Sequence, residues 1–263
     1  MSNTQLAIMY FRNFLSKRTG DFFLVWFFSV VLMIIPTLIF VIIKGEFVTT
    51  GAVLTGIFNT GIKNLEAGAP FAQAIPIPMM KELIIVGIIN IFSYLVINSF
   101  IQGAIADYHI NHSKNKAGLS FIKAGFSNLG RMMGINTLIA IILLLALGIG
   151  FGIGAFVFVI SSLIIFVFVL SALIYVLIKF AFTPFVAANE KVTWIKAFYS
   201  SSDKTQRMTG IIAVIVLSSA LLTQVFSNIT GNIVFFSEIL SSLILVIQLS
   251  LLYPLYKKSA GEK

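Results

Sequence analysis

The sequence contains no cysteine, which removes disulfides, thiolate metal sites and thiol nucleophiles together. Charge is also scarce: 10% of the 263 residues are Asp, Glu, Lys or Arg, against about 25% in an ordinary soluble domain. With 59% hydrophobic residues, such a chain cannot cover itself with polar surface. No stretch outside the apolar runs is long enough to enclose a separate core, so residues 1–263 read as a single membrane domain. There is no His-Glu-x-x-His, no Gly-x-Ser-x-Gly, and no phosphate-binding glycine loop ending in Lys-Ser or Lys-Thr. Only His109 and His112 offer imidazole chemistry, and with Asp107 they are the nearest approach to a metal cluster. They fall beside Asn111, Ser113 and two lysines, where solvated histidines are the expectation. Neither a catalytic residue, a metal site nor a cofactor is expected.

What the sequence has instead is long apolar runs. The first, Phe22 to Ile43, holds 17 Leu, Ile, Phe or Val among 22 residues, so its insertion into hydrocarbon is favourable by several kcal/mol. It is too long for a signal peptide and is read as a retained anchor, kinked at Pro36. A second span covers 83–105. From Ile135 to Ile178 there is no charge, and as one helix this stretch would measure about 66 Å against a hydrocarbon core of about 30 Å. A break is predicted at Gly148, Gly150, Gly152 and Gly154, giving spans over 135–147 and 155–178. Close helix packing by the same small-xxx-small spacings is the rival reading of these glycines. Spans over 211–226 and 235–256 complete an all-α polytopic bundle of about six transmembrane helices.

Fifteen of the 18 basic residues then fall on the side of the N-terminus, and only Lys44, Lys63 and Lys81 on the other. The positive-inside rule places both termini in the cytoplasm, with a basic tail over 257–263. The expected location is the cytoplasmic membrane of a prokaryote. Basic residues are scattered rather than gathered in one domain, which favours anionic headgroups of the cytoplasmic leaflet over nucleic acid as partner.

Three cytoplasmic segments read as amphipathic interfacial helices: one within 1–21, one within 106–134 and one within 179–210. The last two align at an offset of 73 residues, Phe121-Ile-Lys-Ala124 against Trp194-Ile-Lys-Ala197, which suggests a repeated unit of interfacial helix and hairpin. Lys123, Arg131, Lys196 and Arg207 are the candidate headgroup contacts. The external segment 44–82 contains an apolar, glycine-spaced stretch over 46–62 that is either interfacial or re-entrant. Within the spans the candidate polar contacts are Asn90, Asn98, Gln224 and Gln248, and Glu238 falls near the external end of the last span. Amides between helices more often join helices than bind cargo. In Phe182-Thr-Pro-Phe-Val-Ala-Ala-Asn-Glu190, Pro184 is expected to end or kink a helix, and Glu190 to cap or to pair with Lys191, Lys196 or a helix end.

The segment Phe182-Thr-Pro-Phe-Val, with Glu190, Ile195-Lys-Ala197 and Ser200, resembles the membrane domain associated with certain bacterial glycerophosphodiester phosphodiesterases and its stand-alone relatives of unknown function. Gln102-Gly-Ala-Ile-Ala-Asp107 and Ser120-Phe-Ile-Lys-Ala-Gly125 look like the matching upstream part, so that the resemblance covers about residues 85–215. In that family the phosphodiesterase activity belongs to a separate soluble domain. The resemblance therefore implies a six-helix membrane module and carries over no catalytic residue.

The expected function is non-enzymatic: a scaffold, an accessory subunit or a lipid-associated organiser, with a membrane-protein partner covering exposed helix faces. The alternative is a transporter or permease-like component for a small apolar or amphiphilic solute. A cavity reaching Asn90, Asn98 or Gln248 favours the second, and a dry bundle the first.

Overall fold

The computed structural model describes residues 2–44, 50–68, 75–111, 119–154, 167, 170–172, 174–230 and 235–261. Among these residues the chain is helical, with no strand. Helix α1 (Asn3–Lys17) begins in a capping box, in which the Gln5 N–H donates to Ser2 Oγ and the Ser2 N–H to Gln5 Oε1. Its inward face buries Ala7 and Phe14. Helix α2 (Thr19–Lys44) carries Pro36 in its interior without ending there. Helix α3 (Thr50–Glu66) follows, then α4 (Ile77–Phe92), a π-helical turn (Ser93–Asn98) and α5 (Ser99–Asn111) in one continuous run.

Helix α6 (Leu119–Gly154) is a single rod of 36 residues, about 54 Å long. The predicted interfacial helix and the third span are thus parts of one element, and the backbone runs unbroken through Gly148, Gly150 and Gly152. A helix interior costs glycine about 1 kcal/mol relative to alanine, less than leaving backbone groups unpaired in an apolar setting. Most of the segment from 155 to 169 lies outside the described residues.

After a turn at 180–182 comes α7 (Thr183–Glu190), with Pro184 in its first turn, where the missing N–H costs nothing. Helix α8 (Trp194–Thr205) passes through a 3-10 turn (Gln206–Met208) into α9 (Thr209–Thr230), and α10 (Phe236–Ser259) closes the bundle. Ser201 Oγ donates to the carbonyl oxygen of Lys179 at 2.8 Å, so α8 satisfies one of the carbonyls left unpaired where the preceding helix ends.

The core is built around α5, whose Ile101, Ala104, Ile105 and Ala106 are fully enclosed by α6, α7 and α10. Glycine makes this approach possible, because a Cβ on Gly125 would lie 2.4 Å from Phe100 Cζ and one on Gly103 2.9 Å from Asn128 Cβ. A smaller cluster of Phe40, Val86 and Ile89, with Val53 against it, joins α3 to α2 and α4. The outward faces are apolar: Phe23, Phe27, Ile42, Ile84, Ile88, Ile91, Val214 and Leu221 are all exposed.

Four helical runs among the described residues are long and apolar enough to cross a membrane: Thr19–Ile43, Leu170–Glu190, Trp194–Phe226 and Phe236–Ser259. The predicted span 83–105 falls within the continuous run of α4, the π turn and α5, and 135–147 lies within α6.

Candidate functional site

Three places gather polar side chains, and each follows from how its helices are phased. The first is a pair of matching facets. On α6 and α8 the aligned residues Ala124 and Ala197 are buried, which turns Ile122, Lys123 and Phe126 outward on one helix and Ile195, Lys196 and Tyr199 outward on the other. Each facet is an isoleucine and a lysine with an aromatic ring one turn later, the mixture suited to an interface between water and hydrocarbon. Of the four candidate headgroup contacts, Lys123, Lys196 and Arg207 are exposed, while Arg131 is half-buried and turned elsewhere.

Arg131 belongs to the second place, a cleft of about 350 Å3 between α5, α6 and the end of α7, which Asp107, Asn111, Asn128, Arg131, Asn189 and Lys191 line. Asp107 and Asn111 sit four residues apart, and the Asn111 amide donates to Asp107 Oδ1 at 3.1 Å. Asn128 is buried; its Nδ2 donates to the Ala124 carbonyl and its Oδ1 accepts from Arg131 Nη1 at 3.3 Å. Burial pushes the Asp107 carboxyl above its ordinary range, against the opposing pull of its bond from Asn111 and the charge of Lys191. Lys191 reaches the cleft from a left-handed backbone, φ 50°, a conformation that side-chain-bearing residues adopt at a cost. Glu190 pairs with Lys204 rather than with Lys191 or Lys196, and the Lys204 ammonium also lies 5.2 Å from the centre of the Tyr256 ring. Asn189 Nδ2 donates to the Tyr256 hydroxyl at 3.0 Å, which holds this end of α7 to α10.

The third place is an open-sided chamber of about 340 Å3, which brings Asn98 and Gln248 together with Ser93, Thr223, Glu238 and Ser241. Ser93 and Asn98 are the two ends of the π turn, whose wider pitch moves them out of ordinary helical register. The Glu238 carboxylate accepts from the hydroxyls of Thr37 and Ser237. Gln224 is exposed on α9 and does not line the chamber. Asn90 is on α4, with its side chain outside the described residues.

His109 corrects an expectation. It is 1% exposed rather than solvated, because α5 extends to Asn111 and places it on the same inward row as Ile101 and Ile105, at spacings of four. Its Nε2 lies 3.0 Å from Ser250 Oγ and its Nδ1 3.5 Å from the Tyr10 hydroxyl, while the ring stacks on Tyr253. His112 lies outside the described residues. Among the described residues no group of three or more His, Asp or Glu is placed to hold a metal ion.

Sequence reasoning missed Asn128, Asn189 and Lys191, and also Asn136, whose Nδ2 donates to Ser99 Oγ at 2.7 Å between α6 and α5. The spacing of Asn128 and Arg131, three apart on one helix, was the available signal for the cleft. No family model matches the chain, and neither a curated protein nor a solved structure matches it.

Proposed function

We propose that the chain is a non-enzymatic, lipid-associated organiser of the cytoplasmic membrane of a prokaryote, with six spans and both termini in the cytoplasm. The observation that carries this reading is the repeated facet: Ile122, Lys123 and Phe126 on α6, and Ile195, Lys196 and Tyr199 on α8, outward-facing at aligned positions. Each lysine near an anionic leaflet contributes about 1 kcal/mol, so the two facets and Arg207 together supply a stable electrostatic hold on the leaflet. The rings and isoleucines add apolar burial at headgroup depth. The fifteen basic residues on the side of the N-terminus support the orientation. The test is lipid co-purification with the triple variant Lys123→Gln, Lys196→Gln, Arg207→Gln. Anionic lipid retention is expected to fall by about fivefold for each charge removed, and unchanged retention would overturn the reading.

The chamber favours a second reading, a permease-like component for an amphiphilic solute. Asn98, Gln248 and Glu238 line an open-sided space that a packed scaffold has no need to keep. In proteoliposomes, uptake of a small amphiphile that disappears on Gln248→Leu supports this reading, and uptake indifferent to that change removes it.

A further inference from the structure

We propose that the cleft between α5, α6 and α7 binds an aminoalkyl phosphate group, with the phosphate on Arg131 and Lys191 and the ammonium on Asp107. This rests on the lipid-associated reading for its setting, since that reading places 106–134 and 179–210 at the cytoplasmic face. Arg131 and Lys191 line one small cleft with Asp107, and among the described residues neither cation stands within ion-pair distance of a carboxylate. Arg131 has five N–H donors, of which one is directed at Asn128 Oδ1. The planar fork that remains suits a phosphate oxygen pair better than a single point acceptor.

Asp107 decides which phosphate. A bare phosphate entering the cleft would meet a carboxylate as well as two cations, and like charges at this range repel. A ligand that also carries an ammonium turns that repulsion into a second charge-assisted bond. Asp107 is held in place for the role by the amide of Asn111, so its orientation is set before any ligand arrives. Lys191 lines the cleft from a left-handed backbone at the end of α7. The fold holds an uncommon conformation at the one residue here that supplies an exposed cation. At about 350 Å3 the cleft is at the small end of ligand sites, large enough for a headgroup and too small for acyl chains. Those chains have their own surface nearby, because Phe126 is exposed one residue before Ser127 of the cleft wall.

The same group is present in an ethanolamine phospholipid and in free phosphoethanolamine, and the experiment separates them. The full chain is placed in nanodiscs containing phosphatidylethanolamine, phosphatidylglycerol or phosphatidylcholine, and lipids retained after detergent exchange are measured. Ethanolamine lipid is expected to be enriched by about tenfold over choline lipid, whose quaternary nitrogen has no N–H to donate. Arg131→Gln and Lys191→Gln should each remove that enrichment, and Asp107→Asn should shift the preference to the glycerol lipid. Competition by free phosphoethanolamine that depends on Arg131, without any preference among lipids, assigns the same chemistry to a soluble ligand. Equal retention of all three lipids with no competition, or a preference unchanged in all three variants, overturns the proposal. Helical content and unfolding temperature of each variant show whether it has folded, and Arg131→Lys gives a charge-preserving control. The facet triple variant keeps the two readings apart. If it loses anionic lipid while wild type shows no headgroup preference, the cleft proposal fails alone; if it loses none while the cleft preference persists, the facet reading fails alone.

Discussion

Buried polar atoms place the strictest demands on single side chains. His109 fills a nest of rings made by Phe14, Tyr108 and Tyr253, with hydroxyls of Tyr10 and Ser250 at its two nitrogens. Truncation there opens a cavity and removes hydrogen bonds together. His109→Ala is expected to cost about 2–4 kcal/mol, read as a lower unfolding temperature in detergent. Tyr108 is held by Asp21 at 2.9 Å, and burial first, then that bond, push its phenol up to about 12. Asp107 has the opposite status to a stabilising carboxylate, because its pKa is raised. The folded chain binds that proton more tightly than the unfolded chain does. Its contribution is therefore fully present below the ordinary aspartate range and is lost as pH rises through the raised value. Asp107→Asn should accordingly be more stable than wild type at neutral pH and lose that advantage in acid. Thermal unfolding across a pH series checks this, and a variant that is less stable at neutral pH would contradict the sign.

Between elements, the seam of α5 and α6 depends on absent side chains. Gly125 faces the Phe100 ring at a distance no Cβ can share, whereas Gly130, on the same helix, has nothing within 4 Å of its own Cβ position. Gly125→Ala should cost about 1–3 kcal/mol through overpacking, and Gly130→Ala should gain about 0.5–1 kcal/mol by helix propensity. If both changes acted alike in thermal unfolding, the seam would not be as close as described. Much at this level was legible beforehand. The Ile-Lys-Ala match over 73 residues located two helices that bury the alanine and turn the lysine outward. Pro184 marked a true break, with a turn at 180–182 before it and the proline in the first turn of the next helix, where its missing N–H has no bond to lose. The helix runs on through Gly148, Gly150 and Gly152, where a propensity cost of about 1 kcal/mol each yields to the hydrogen-bond ladder, and its described part ends at Gly154, the last of the four. The π turn left no mark in the sequence, as its composition is that of any apolar span. The cleft was only half visible: Asp107 and Arg131 were named, but Lys191 depends on a backbone angle and Asn189 on where α7 meets α10.

For the molecule as a whole, topology determines every assignment above. The lack of cysteine makes it testable, because a single introduced thiol is the only one present. Cysteine at Lys258 or Lys196 should react with an impermeant reagent only after the cytoplasmic face is opened, and cysteine at Lys63 or Lys81 without it. Labelling of Lys63 and Lys258 from one side would remove the six-span arrangement. The exposed belt of Phe27, Ile42, Ile88 and Leu221 requires a hydrocarbon solvent or a covering neighbour, and it gives the bundle a reason to stay in the bilayer.

The wide turn at Ser93–Asn98 has a geometrical consequence for everything after it. A π turn holds one residue more than the pitch around it, so it works as a vernier between the two halves of a single rod. Excising one residue there would restore ordinary winding and rotate the remainder by about 100°. Ile101, Ile105 and His109 would swing off the inward row, so a one-residue deletion at the chamber would dismantle the histidine nest at the far end of α5.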